Sequence, residues 1–238
     1  TVVDLSTEPN ALEGWYYWGL TGTTYTKLSV STGDALPTTY DSVRKCGINH
    51  VDVLKNGYNR YRDSAQRQWL NSDGGTGEWW TAQHLGDLPP SQLATLKGFM
   101  AGLDSDFLAV INPVKVQVAT NTVTDGGVTD VMYDKFFLQS VEEVYGAPQP
   151  EGVEGPYFPY WKQITGLENQ TNGSSSNTNG ARKIRRINNP TGGAAHGRLR
   201  SASRGYSANA CYVHSSGYLS GYGYATVSYA ALPACVIS

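Results

Sequence analysis

The C-terminal segment from Arg200 to Leu232 uses a narrow set of amino acids, and this set restricts the surface that it can build. The segment is rich in Tyr, Ser, Gly and Ala and lacks Asp, Glu, Lys, Gln, Met and Trp, all of which occur earlier in the chain. Antibody combining sites favour Tyr for large, rigid contact area and Ser, Gly and Asn for adaptable hydrogen bonds. The composition therefore predicts a binding surface.

Within this segment, polar or aromatic side chains alternate with small or apolar ones. The polar or aromatic positions are Tyr218, Ser220, Tyr222, Tyr224, Thr226 and Ser228. Period-two alternation places successive side chains on opposite faces of a strand, which predicts one tyrosine-rich face. Gly221 and Gly223 weaken a regular strand and predict a bulge or loop. An ordinary β-hairpin is the alternative explanation, since Tyr favours strands in general.

The bulk composition excludes several classes of partner. The chain has 238 residues, of which 16% are charged, and a formal net charge of −2. Such a balance gives no general attraction to nucleic acid or anionic lipid, and the basic run at 182–186 reads as a solvated strand. No apolar run is long enough to span a bilayer. We expect neither nucleic-acid binding nor membrane insertion.

No local motif predicts catalysis or a metal site. Cys46, Cys211 and Cys235 do not have zinc-ligand spacing, and the four histidines are scattered as structural or surface residues. A G-x-S-x-G nucleophile motif is absent from the sequence. We therefore expect a protein without enzymatic activity, cofactor or metal.

Helix signals are interspersed with strand signals along the chain. Asp63 or Ser64 caps a predicted helix with the sequence AQRQWLNS, and Ser140 with Glu143 forms a capping-box pattern. Apolar residues at helical spacing predict a further helix over 92–103. Strands and helices mix without strict βαβ alternation, which predicts an α+β fold.

The predicted organisation is one domain preceded by a short segment. Residues 1–35 read as strand and turn and can form the junction to an upstream domain, while residues 36–238 form the domain itself. The polar, glycine-rich stretch at 168–180 predicts a mobile loop. The narrow composition that predicts a binding surface covers about residues 203–232.

Several stretches together resemble the variable proteins of diversity-generating retroelements. They are YDKFFLQS at Tyr133–Ser140, which is followed by VEEVY, and the stretches RDSAQRQWLNS, GFMAGLDSDFLAVI, VEGPYFPYWK, RLRSASRG and the terminal PACVIS. The resemblance runs from about Asp41 to Ser238. It implies a C-type lectin-like fold with a C-terminal variable binding surface, in proteins of phages and bacteria from gut communities.

In that family, adenine-directed copying errors rewrite the last codons of the gene. Errors in AAC or AAT codons do not produce Lys, Glu, Gln, Met or Trp, the same five residue types that are absent from the segment. The resemblance assigns ligand contact to Tyr206, Asn209, Tyr212, His214, Tyr218, Ser220, Tyr222, Tyr224, Ser228 and Tyr229. Ser203, Ala208 and Cys211 are weaker candidates, and Arg198, Arg200 and Arg204 are expected to be frame residues paired with carbonyls or acids.

The implied function is receptor binding or adhesion, at the tip of a phage tail fibre or on a bacterial cell surface. The expected partner is a protein or glycan receptor on a target cell, and the chain can form a homo-oligomer, a trimer if it sits on a tail fibre. One alternative is a structural or oligomerisation domain of a virion or surface protein. A second is an enzyme on a fold like that of formylglycine-generating enzymes, which rests on fold analogy alone.

Overall fold

A computed structural model describes residues 58–83, 89–146, 153–162, 187–188, 193–227 and 229–237. The predicted segment at 1–35, the predicted loop at 168–180 and Cys46 lie outside the described residues. The helices are α1 (Ala65–Leu70), α2 (Ser105–Ala109), α3 (Val141–Tyr145) and α4 (Pro159–Lys162). The strands are β1 (Val114–Ala119), β2 (Thr129–Asp134), β3 (Phe137–Leu138), β4 (Ile187–Asn188), β5 (Ala194–Ala195), β6 (Gly197–Ala202), β7 (Asn209–Val213), β8 (Leu219–Tyr224), β9 (Ala230–Ala231) and β10 (Pro233–Ala234). The fold is α+β, as predicted.

A four-stranded sheet in the order β8-β7-β6-β9 carries the C-terminal segment. Strand β7 lies antiparallel to both β6 and β8, whereas β9 lies parallel to β6. The described residues also form three two-stranded sheets, which pair β1 with β2, β3 with β10, and β4 with β5. The pairing of β3 with β10 ties the end of the chain to its middle.

Two hydrophobic clusters form the core. The first joins α1, β1, β2 and β3 through side chains that include Leu70, Val118 and Leu138. The second joins α3 to the inner face of the four-stranded sheet through Val144, Leu199 and other buried residues. The C-terminal sheet is therefore supported from one side by an apolar layer.

Paired charges attach α1 to β2. Every second residue of β2 is buried, and two of these are aspartates. Arg67 on α1 forms a two-point ion pair with Asp134, at 2.7 and 2.8 Å, and Arg60 pairs with Asp130 at 2.7 Å. Forked arginine–carboxylate pairs fix orientation as well as distance, so they hold the helix in register on the strand.

The predicted helix caps are confirmed. The Ser64 side chain accepts a hydrogen bond from the Arg67 amide at the start of α1. At α3, Ser140 and Glu143 form the reciprocal bonds of a capping box. Both caps satisfy main-chain donors that the first helical turn leaves unpaired.

The predicted helix over 92–103 is wrong. Only two short 3-10 turns form there, Ser91–Ala94 and Met100–Gly102. Between them the main chain bonds to the loop after α1: Gly98 donates to the Gly74 carbonyl at 2.8 Å and Met100 donates to that of Ser72 at 3.0 Å. A Cβ on Gly98 would lie 2.2 Å from the Ser72 carbonyl oxygen, so this close approach requires glycine.

Candidate binding surface

The side chains of β7 show which face of the four-stranded sheet lies on the core and which is the outer face. Asn209, Cys211 and Val213 are buried, while Tyr212 between them is half-buried. Tyr212 lies opposite Arg198 of β6 and opposite Ser220 of β8. Because neighbours across a strand pair share a face, these three residues lie on the outer face.

A bulge in β8 interrupts the predicted alternation. Ala210 pairs with Gly223 and Tyr212 pairs with Ser220, so the single residue of β7 between these pairs lies opposite two residues of β8, Gly221 and Tyr222. The extra residue reverses the parity of the strand beyond it. Gly223 is therefore on the outer face, and Tyr224, which pairs with Asn209, is on the opposite one. The bulge that the glycines predicted is confirmed, and the single continuous tyrosine face is corrected.

Five rings form a cluster on the outer side of the sheet, and we call this set the ring cluster. Its members are His196, Tyr212, His214, Tyr218 and Tyr229. His214 stacks on Tyr218 with centroids 4.2 Å apart and planes inclined by 14°. Tyr229 lies 4.6 Å from Tyr212 and 5.1 Å from His196. None of these rings belongs to either hydrophobic cluster of the described residues.

Main-chain amides orient both imidazoles of the ring cluster. Nδ1 of His196 accepts a hydrogen bond from the Ser215 amide, and Nδ1 of His214 accepts one from the Ser216 amide, each at 3.0 Å. The two rings lie 4.5 Å apart. Burial lowers the pKa of His214, and the neighbouring His196 lowers it further. Since an Nδ1 that accepts an N–H carries no proton, the bonding geometry favours the Nε2–H tautomer at both rings.

Arg198 lies beneath the ring cluster. Its guanidinium carbon is 4.5 Å from the centre of the Tyr229 ring, a cation–π contact. Its nitrogens donate to the carbonyls of Gly223, Tyr224 and Val227 at 3.2, 2.8 and 2.8 Å. Burial lowers the pKa of Arg198, although arginine remains protonated at neutral pH. The side chain thus binds the main chain at the end of β8 and in the turn that follows it.

The loop from Ser203 to Ala208 is likewise held by hydrogen bonds between side chains and main-chain carbonyls. Asn59 is buried and donates to the carbonyls of Tyr206 and Asn209 at 2.7 and 2.6 Å. Arg204 in turn donates to the Thr120 carbonyl at 2.6 Å. Tyr206, at the tip of this loop, is 48% exposed.

A buried ionic group supports the inner side of β6. Arg200 forms a two-point ion pair with Glu143 at 2.5 and 2.7 Å and donates to the Leu138 carbonyl at 2.7 Å. The Glu154 carboxylate accepts from the Ser201 hydroxyl and from the Ala119 amide. Burial raises the pKa of Glu154 to about 7. The expectation that Arg198, Arg200 and Arg204 pair with carbonyls or acids is confirmed.

The structure groups some of the predicted contact residues and separates others. Tyr212, His214, Tyr218 and Tyr229 form the ring cluster, and Ser220 shares their face of the sheet. Tyr206 is exposed on its loop, and Tyr224 is 44% exposed on the opposite face of the sheet. Ser203 is half-buried. Ser228 and the Tyr222 side chain lie outside what the structure describes.

Three of the predicted positions are corrected, since they point into the core. Asn209, Ala208 and Cys211 are all buried, because β7 turns its odd-numbered residues inward and the loop before it is pinned to the frame. Burial raises the pKa of the Cys211 thiol to about 12, so it is not reactive at neutral pH. We leave these three residues out of the surface.

Sequence reasoning missed His196 as a member of the surface and treated it as a structural or surface residue. Its signal is positional: His196 and Arg198 flank Gly197 as Tyr212 and His214 flank Val213, so the two pairs can share one face of adjacent strands. Without the pairing register of β6 and β7, that signal does not show that the pairs meet.

Metal ligation and membrane spanning find no support within the described ranges. No group of three or more His, Cys, Asp or Glu residues there could hold a metal ion. None of the helices in those ranges has the length and apolar character needed to cross a bilayer.

Comparison with known proteins yields one family. Residues 48–238 match the family model DUF6273, described as a domain of unknown function. Neither the curated proteins nor the solved structures contain a significant match.

Proposed function

We propose that this chain, which belongs to the DUF6273 family, is a hypervariable ligand-binding protein diversified by a retroelement. In this proposal it has a C-type lectin-like fold and binds a macromolecular receptor through its C-terminal surface. It acts at a phage tail-fibre tip or on a bacterial cell surface, where display of several copies raises the overall avidity above the affinity of each site.

The observation that carries the proposal is the ring cluster itself, because its aromatic rings are gathered outside both hydrophobic clusters. Buried frame residues hold the underlying backbone, so the cluster is not needed to complete the core. Tyrosine and arginine are the residues that most often dominate interface energetics, and an aromatic surface of this kind marks an interaction site. Binding residues on a rigid scaffold can change while the fold is kept.

A binding role also agrees with the chemistry of the cluster better than catalysis does. Both imidazoles use Nδ1 to accept main-chain amides, whereas a catalytic imidazole activates a nucleophile through a hydrogen bond to a hydroxyl or thiol. We therefore propose a protein without enzymatic activity.

Sequencing tests the retroelement directly. The 3′ end of the gene and the DNA downstream of it would be read from many individuals of one population. We expect substitutions confined to about residues 203–232 and matched to adenines in a nearby near-copy of this end. An unvarying 3′ end without such a repeat would refute diversification.

Folding measurements test whether the surface is separable from the core. Tyr218→Ala and Tyr224→Ala should each leave a cooperative thermal melt within about 1 kcal/mol of the parent. The matched control is Tyr145→Ala, which truncates a buried tyrosine and should cost about 3–5 kcal/mol. Equal losses in all three variants would place the surface tyrosines in the core.

The structural or oligomerisation alternative has its own supporting observation. Val131 and Tyr133, on the outward face of β2, are 47% and 69% exposed. An apolar strand face of this kind could pack against another copy of the chain. Light scattering on the parent and on Val131→Lys would separate the two proposals, since loss of an oligomer in the variant would favour the structural role.

A further inference from the structure

The two imidazoles of the ring cluster present N–H donors to a ligand. A neutral imidazole has one N–H donor and one acceptor nitrogen. In both His196 and His214 the acceptor is Nδ1, because it receives a main-chain N–H. The proton must therefore lie on Nε2, and neither Nε2 has a partner among the described residues. Two adjacent rings thus offer N–H groups that have no acceptor in the part of the chain that the structure describes.

The charge that the described residues place against the ring cluster is positive. Arg198 lies against Tyr229, and the other described residues in ring contact with the two imidazoles are the phenols of Tyr212, Tyr218 and Tyr229. The segment from Arg200 to Leu232 contains no Asp or Glu. The Arg198 nitrogens bind carbonyls, so the guanidinium contributes a fixed positive field. Charge complementarity therefore favours an anionic or acceptor-rich ligand group.

We propose that the ring cluster binds a carboxylate of a protein partner, an Asp or Glu side chain on its surface. This inference rests on the proposed binding function and specifies the chemistry of the partner. The Nε2–H groups donate to the carboxylate oxygens, and the tyrosine rings cover the apolar part of the acidic side chain and its neighbours. Tyrosine-rich surfaces of this kind are typical of protein recognition.

The same tautomer argues against a transition metal. A histidine that binds a metal through Nε2 usually donates its Nδ1–H to a carbonyl, carboxylate or water. Here both Nδ1 atoms face main-chain N–H groups. Metal ligation through Nε2 would move the proton to Nδ1, and at each ring this Nδ1–H would then point at the main-chain N–H. The site accordingly suits a hydrogen-bond acceptor and not a transition metal.

The test uses small probes with the full chain. N-acetyl-aspartate N-methylamide, its asparagine counterpart, sialic acid and galactose would each be titrated while NMR follows the imidazole signals of His196 and His214. We expect saturable shifts with the aspartate probe at millimolar concentration, and binding at least about tenfold weaker for the asparagine probe, because charged acceptors form stronger hydrogen bonds. Added salt should weaken the aspartate interaction.

Variants locate the interaction. His214→Phe keeps an aromatic ring against Tyr218 and removes the donor, so it should abolish the response of the His196 signals to the aspartate probe. Tyr133→Ala removes an exposed tyrosine of β2 and should leave the response unchanged. A cooperative melt of both variants shows that they are folded.

Each other outcome overturns part of the reasoning. Equal binding of the asparagine probe would refute the acidic preference while leaving a binding surface. Binding of sialic acid without the aspartate probe would replace the protein partner by an acidic glycan. Absence of shifts with every probe would overturn the donor site, whereas diversification of the gene is tested separately by sequencing.

Discussion

Glu154 gives the most direct test of how the sheet is supported. Its carboxylate is buried and accepts hydrogen bonds from the Ala119 amide and the Ser201 hydroxyl, while the nearby Arg200 forms its two-point pair with Glu143. The guanidinium of Arg200 therefore pairs with only one of the two buried acids, and the carboxylate of Glu154 has no ion pair among the described residues. This arrangement explains why burial dominates and raises its pKa to about 7 from 4.5.

The raised pKa makes ionisation of Glu154 destabilising. Below pH 4.5 the carboxyl is protonated in the folded and unfolded chains alike, so it has no effect on the pH dependence. As the pH rises toward 7, the unfolded chain loses this proton first, and the free energy of unfolding falls. Above that range the cost is constant, at about 3 kcal/mol.

Glu154→Gln should remove this cost while keeping the shape of the side chain. The amide oxygen can accept from Ala119, and the amide nitrogen can donate to the Ser201 oxygen. We expect the stability of the variant relative to the parent to increase by about 2–3 kcal/mol from pH 5 to pH 8, measured by urea unfolding at both values. Asp73→Asn, at an exposed carboxyl, is the control and should show no such trend.

Two outcomes of the urea unfolding experiment would refute this account of Glu154. If the difference between Glu154→Gln and the parent does not change with pH, Glu154 ionises alike in both states and burial does not control it. If the parent gains on the variant as the pH rises, the carboxylate is stabilised by Arg200, and the assignment of that cation to Glu143 is incorrect. Either result would require a different account of how β6 is supported.

Three further predictions concern single positions. Glu143→Gln leaves a buried guanidinium without its acid and should cost about 3–5 kcal/mol in urea unfolding; a loss below about 1 kcal/mol would contradict the buried pair. Gly223→Ala places a Cβ 2.8 Å from two phenol rings of the cluster and should cost about 1–3 kcal/mol, with shifted ring signals in NMR as the check. Because its pKa is lowered, His214 should stay neutral until the pH falls below about 6.5 and should then lose the hydrogen bond from the Ser216 amide. Hydrogen exchange of that amide should therefore be faster, relative to an unfolded chain, in acid than at pH 7.5. Exchange protection that persists after His214 is protonated would contradict Nδ1 as the acceptor.

The features that the sequence predicts correctly depend on interactions between residues that are close together in the sequence. Ser64 and the pair Ser140 and Glu143 form their caps because a short polar side chain at the start of a helix reaches an amide two or three residues later. Gly221 and Gly223 mark the bulge because glycine tolerates the irregular backbone that it requires. No distant partner is needed for either prediction.

The failures depend on contacts that are distant in sequence. Apolar spacing over 92–103 suits a helix, but Gly98 and Met100 bond to the main chain after α1, at a distance that only glycine allows. Likewise, Asn209 is attractive as a contact residue by composition, yet the register of β7 turns it inward. Tertiary hydrogen bonds overrode local preference in the first case, and strand pairing decided the face in the second.

The anchoring bonds explain how a surface can vary while its backbone is kept. Asn59 and Arg198 bind the segment from Tyr206 to Val227 through main-chain carbonyls, which every amino acid supplies. Exchange of Tyr206 or Tyr224 for another residue therefore leaves these carbonyl bonds in place. Gly223 differs, because any Cβ there would meet the rings of Tyr212 and Tyr229. If the surface is diversified, variation at Gly223 should accordingly be linked to smaller residues at those two positions, whereas variation at Tyr224 should be independent of them.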